Sequence, residues 1–190
     1  LGNIREDGIR YKELIGNVVF THRSTIINCD SSYFYSKENR MEAYGNVHIK
    51  DGDTVTITSK KLIYEGNAGM ARLRDDVVYT NTKETLYTDF LDYDSKTKIA
   101  KYFNNGKLVD KDNILTSEIG YYHDVQKFAE FYNNVILYSQ EYDLEADTLK
   151  YFTSNNTGIT FGPTKIITKD SVVVNSEGGK FKTARKLNEF

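Results

Sequence analysis

The sequence is poor in the residues that punctuate or cross-link a fold. Its 190 residues include one Cys, one Pro (Pro163) and no Trp. A single Cys excludes an intramolecular disulfide and a Cys-based zinc site. No apolar run approaches the ~20 residues that a membrane-spanning helix needs. Nor does one sign of charge dominate: 25 Lys and Arg face 27 Asp and Glu, for a net charge of −2. A dedicated nucleic-acid binder carries a basic surplus, so no nucleic-acid partner is expected. Helical stretches rich in Ala, Leu and Glu are missing, and no segment holds a 3.6-residue apolar period over three turns. The opening Leu1-Gly2-Asn3 is unlike a signal peptide, which a trimmed chain would have lost.

What is present points to strands. There are 15 Tyr, 10 Phe, 18 Thr and 16 Asn. Thr, Tyr and Phe suit a pleated sheet, and Asn suits tight turns. The chain reads as nearly all β.

It also repeats itself six times. Gly16-Asn17-Val18 returns as Gly45-Asn46-Val47, Asp75-Asp76-Val77 and Asn133-Asn134-Val135, with degenerate copies at Asn104-Asn105-Gly106 and Gly162-Pro163-Thr164. A second anchor keeps step, an apolar residue, a small one and an aromatic, as in Ile57-Ser59-Tyr64, Leu86-Thr88-Tyr93 and Leu144-Ala146-Tyr151. A small residue follows seven after the aromatic at Ala71, Ala100 and Ala129. Turn-forming clusters such as Lys50-Asp51-Gly52-Asp53 and Glu65-Gly66-Asn67 fall about half a period apart. Each ~29-residue repeat therefore makes two strands joined by short hairpins. The expectation is about twelve antiparallel strands in one domain over 1–190, with repeats starting near 15, 44, 74, 103, 132 and 162. Stacked at about 4.8 Å, they would extend some 55–60 Å.

The apolar phase slips by one residue at a fixed place in each repeat, between Ser59 and Leu62 for example. Such a slip marks a bulge that turns a corner, with small residues (Cys29, Ser59, Thr88, Ser117, Ala146, Ser176) letting the sheet fold over. The predicted architecture is a folded antiparallel β-jellyroll, V-shaped in section. Its interior would be lined by Val18, Phe20, Val47, Ile49, Ile57, Leu62, Tyr64, Leu73, Val77, Tyr79, Leu86, Leu91 and Tyr93. It would continue through Leu108, Leu115, Tyr122, Phe131, Val135, Leu137, Leu144, Leu149 and Tyr151. His48, Lys50, Lys60, Arg72, Arg74, Glu130 and Lys150 would face outward. Pro163 lacks a backbone donor, which suggests an edge strand and a terminal last copy. Free sheet edges are expected near Ile15–Phe20 and Lys165–Asn175.

No catalytic residue, metal ligand or cofactor motif stands out. His22, His48 and His123 sit at unrelated repeat phases, and Cys29 holds a place that Ser, Thr or Ala takes elsewhere. The acidic residues after the corner (Asp30, Asp89, Glu118, Asp147, Glu177) come without the Gly-rich run of a calcium-binding β-roll, and read as a solvated face. No phosphate loop or nucleophile elbow occurs. The expectation is a non-enzyme.

Ala43-Tyr44-Gly45-Asn46-Val47-His48-Ile49, followed by Ile57-Thr58-Ser59-Lys60-Lys61-Leu62-Ile63-Tyr64, resembles the repeat of the OstA-like (organic-solvent-tolerance) family of LptA-like periplasmic lipopolysaccharide-transport proteins. The likeness recurs over 15–190; Gly106 and Thr164 depart from it where Val is expected. The resemblance implies a non-enzymatic periplasmic module whose interior shields the acyl chains of lipid A. It also implies head-to-tail self-association, and edge-strand pairing with inner- and outer-membrane transport proteins of the same fold. The interior residues above would then be the lipid-binding set. Two other readings stay open: a structural β-solenoid spacer or adhesin fragment with a closed core, and a parallel β-helix with a carbohydrate-active outer face.

Overall fold

The computed structural model describes residues 3–4 and 8–182. The chain divides into two compact units, Leu1–Thr97 and Lys98–Phe190. The first holds β1 (Asn3–Ile4), β2 (Arg10–His22), β3 (Thr25–Tyr35), β4 (Arg40–Asp51), β5 (Val55–Glu65), β6 (Met70–Thr80) and β7 (Glu84–Asp94). The second holds β8 (Ile99–Asp110), β9 (Ile114–Ser117), β10 (Ile119–His123), β11 (Phe128–Tyr138), β12 (Tyr142–Phe152), β13 (Thr157–Thr168) and β14 (Val173–Lys182). Within each unit the strands lie side by side in chain order, each antiparallel to the next; β9 and β10 together fill one place, between β8 and β11. Setting the two-residue β1 aside and counting β9 with β10 as one interrupted strand leaves the expected twelve. None of the described residues is helical, so no helix is long and apolar enough to cross a membrane.

The turns fall where the sequence placed them, and their side chains show why. Asn81 Oδ1 accepts from the amides of Lys83 (2.8 Å) and Glu84 (3.0 Å). Asp94 Oδ1 accepts from Lys96 (2.8 Å) and Thr97 (3.2 Å), and Asp110 Oδ1 from Asp112 (2.8 Å) and Asn113 (2.7 Å). Each carboxylate or amide stands in for the backbone acceptor that the turn removes from the ladder.

The corner itself differs from the sequence reading. The Ser59-to-Leu62 slip is real, since both are buried with an exposed Lys60 between them. The extra residue, however, lies on the neighbouring strand. Register breaks between Ile15 and Val18, Tyr44 and Val47, Arg74 and Val77, Tyr132 and Val135, and Phe161 and Thr164. In each break two residues face one. Both take the left-handed conformation in Gly16-Asn17, Gly45-Asn46, Asp75-Asp76 and Asn133-Asn134, with φ between 42° and 80°. Asn104-Asn105 on β8 does the same. Gly, Asn and Asp are the residues that tolerate this conformation, which is why the repeat keeps writing them there.

Pro163 needs a correction for the same reason. It lies in β13, paired on both sides by β12 and β14, and not on an edge. It falls inside the register break after Gly162 (φ 77°), where no ladder hydrogen bond is asked of its nitrogen. Among the described residues the chain-terminal edge strand is all of β14 (Val173–Lys182), whereas the sequence placed that edge across Lys165–Asn175.

Candidate functional site

Alternation past the corner puts one apolar face on each unit, in rows that cross the strands. In the first unit Phe20, Ile27, Ile49, Ile57, Tyr79 and Leu86 stand opposite one another across six strands. Beyond the corner, Ser32, Ala43, Leu62, Leu73 and Leu91 make a second row. In the second unit Leu108, Leu115, Leu137, Leu144 and Ile166 form one row, and Phe131, Leu149 and Thr160 belong to another. Among the described residues no helix covers these faces.

Of the residues read as interior, Val18, Val47, Ile49, Leu62, Leu73, Val77, Leu86 and Leu91 are buried in the first unit. So are Leu115, Phe131, Val135, Leu137, Leu144 and Leu149 in the second. Phe20, Ile57, Tyr79, Tyr93, Leu108, Tyr122 and Tyr151 are half-buried, and Tyr64 is 38% exposed. These tyrosines explain the third anchor of the repeat. Tyr64, Ala71 and Tyr93 are direct cross-strand neighbours, as are Ala100, Tyr122, Ala129 and Tyr151. Large and small side chains alternate along the row, so the rings interleave. At about 1.5–3 kcal/mol for each fully buried Leu, Val or Phe, this face dominates the stability of either unit.

The polar groups inside are few. The small corner residues use their hydroxyls to satisfy carbonyls freed by the bend: Ser59 Oγ donates to Lys61 O (3.1 Å) and Ser117 Oγ to Ile119 O (3.0 Å). Cys29 is buried at the same phase, and burial raises its thiol pKa, which disfavours the reactive thiolate. Ser32 is fully buried and its Oγ has no hydrogen-bond partner. Ser32→Ala should therefore stabilise the protein, by about 1 kcal/mol. A lower urea midpoint in that variant would contradict this.

Sequence reasoning missed Tyr102. It stands one period after Leu73 and one before Phe131, yet it is a tyrosine, 5% exposed. A Cβ on Gly106 or Gly120 would lie 2.3 or 2.2 Å from its ring, so the ring occupies the space that two side chains vacate. Its hydroxyl is 2.6 Å from Ser117 Oγ, and burial pushes its pKa up to about 12. The available hint was Gly106 itself, which replaces the anchor valine.

The acidic ladder also has a task beyond solvation. Asp30, Asp89 and Asp147 are the single residues facing left-handed pairs across the register breaks, and Glu177 faces Gly162-Pro163 in the same way. Glu118 interrupts β9–β10 at the same phase, its amide bonded to Asn133 O and its carbonyl to the Asn105 amide. Asn46 Nδ2 donates to Asp30 (2.8 Å), and Asn133 and Asn134 donate to Glu118 (3.1 and 2.6 Å). The Asp76 amide donates to Asp89 (3.2 Å), and Lys60 pairs with Asp76 (2.5 Å). Among the described residues no three His, Cys, Asp or Glu side chains could jointly hold a metal ion. His22 and His48 are exposed, while His123 stacks on Phe128 (4.2 Å) and meets Glu130 (3.2 Å). Outward Lys150 lies between Glu130 (3.1 Å) and the Phe128 ring (3.8 Å).

The profile of the OstA-like protein family matches residues 2–147. The chain belongs to the OstA-like family. OstA-like proteins are non-enzymatic transport proteins. Among solved structures, the chain is similar to LptH, the LptA-homologous periplasmic component of the lipopolysaccharide transport device of Pseudomonas aeruginosa. The identity is 14% over 63% of this chain and 80% of that one, with a TM-score of 0.47. No curated protein matches the chain.

Proposed function

We propose that this OstA-like protein is a periplasmic lipopolysaccharide-transport module that takes lipid A acyl chains into its apolar interior. One observation carries the reading: unbroken apolar rows cross the strands of each unit, in a chain of a transport family. Carrying a multi-acylated lipid through water requires covering its tails, at about 25 cal/mol for each Å² of apolar surface. An apolar face folded on itself can do this without any chemical step. The residues that contact lipid would be the interior set, from Val18 to Tyr151. Ile15 (76% exposed) and Val19 (59%) on β2, and Val173 (52%) and Val174 (47%) on β14, leave apolar side chains on outer strands. They support head-to-tail pairing with further copies, and with membrane-bound partners of the same fold, as a bridge between the membranes.

A dry, closed core in a structural spacer is the second reading, and the complete burial of Val135 and Leu144 favours it. A photo-reactive amino acid placed singly at Ile49, Tyr93 and Val135 separates the two, with exposed His48 and outward Ile136 as controls. Protein purified from cells that make lipopolysaccharide should give lipid adducts at the three inward sites and none at the controls. A folded protein without adducts would leave the closed core standing.

A further inference from the structure

The interior is mostly apolar, and one of its polar exceptions has a definite hydrogen-bond count. Ser117 Oγ lies 3.0 Å from Ile119 O, an acceptor only, so the serine proton is spent there. The 2.6 Å contact between Ser117 and Tyr102 must then be made with the tyrosine proton. Tyr102 Oη is left as an acceptor to which no described group donates, and burial keeps the phenol protonated, with a pKa of about 12. Gly106 and Gly120 permit the ring to lie where it does and also bar it from moving aside, since each backbone abuts it. One partner satisfies the hydroxyl as a donor, while its acceptor position, in hydrocarbon surroundings, stays open. That arrangement suits a ligand that brings its own donor.

We propose that Tyr102 and Ser117 form a polar subsite within the acyl-chain interior, selecting chains that carry a hydroxyl over chains that are hydrocarbon throughout. The proposal rests on the reading of the interior as an acyl-chain conduit. The chain's O–H would donate to Tyr102 Oη, completing a relay that ends at Ile119 O. Leu73 and Phe131, one period before and one after, offer no such atom.

The test is binding of a saturated fatty acid against its monohydroxy positional isomers of equal length, by isothermal titration. One isomer should bind the wild-type protein about five-fold tighter than the plain chain, the size of one added hydrogen bond. In Tyr102→Phe the ratio of the two dissociation constants should fall to about one. Equal binding of the plain chain and every isomer to wild type overturns the subsite but leaves the conduit. A preference that survives Tyr102→Phe does the same. Binding of no chain at all overturns the conduit and the subsite together. The wild-type comparison needs no variant, so a misfolded Tyr102→Phe does not block it. Purified lipopolysaccharide that displaces the preferred isomer assigns the subsite to a glycolipid chain. Selective binding without displacement assigns it to a free hydroxy acid, and both results support the subsite.

Discussion

Gly106→Val, which puts back the valine that four other repeats carry, will destabilise the protein by about 3 kcal/mol. The new Cβ would stand 2.3 Å from a Tyr102 ring carbon, and the ring has nowhere to go. Gly120 blocks it on the next strand, and the hydroxyl is tied to Ser117. Tyr102→Leu alone should also cost about 2–4 kcal/mol, through the cavity it opens over two glycines. Together the two changes recreate the Leu73 and Val77 pair of the third repeat, and the double variant should be more stable than either single one. Urea midpoints across the four proteins measure the coupling. Simple addition of the two losses would show that the ring and Gly106 do not share one space.

A second large effect is expected at residues on the exposed surface. Replacing Asn133 and Asn134 together by Val should cost about 4 kcal/mol. Their φ angles are 63° and 51°, and a left-handed backbone costs a β-branched residue about 1–2 kcal/mol. Both hydrogen bonds to Glu118 go as well. The Asn→Gly pair loses those bonds but keeps the backbone, and should recover more than half of the loss. Exposed substitutions ordinarily stay within about 0.5 kcal/mol, so the contrast is easily read by thermal or urea unfolding. Equal losses in the Val and Gly variants would mean that the side-chain bonds, and not the backbone angles, hold the corner.

Much of this architecture was legible in the sequence because it is written in periods. Two strands per ~29 residues, the half-period turns, and the inward phase of Val47, Leu62, Val77, Val135 and Leu144 all follow from spacing. The odd step from Ser59 to Leu62 even located the bend. What spacing assigned wrongly was the strand that supplies the extra residue. Gly-Asn was taken as a marker of the repeat, although Gly, Asn and Asp share a tolerance for positive φ that would have named the corner directly. Pro163 was read as an edge because a missing donor is costly in a continuous ladder, and only the register shows that the ladder is broken there. The carboxylates from Asp30 to Glu177 were read as a wetted face for want of any sign of what lies across the strand.

By itself the sequence determined the repeat, the strand class and which side chains share a face. These depend on alternation along the chain, which a reader of the chain can count. The tertiary structure decided which strand bulges, what each carboxylate caps, and that Tyr102 fills the room left by Gly106 and Gly120. Those outcomes depend on which residue lies directly opposite across the sheet. A register shift of one or two residues changes every such pair, so they exist only once the strands have met.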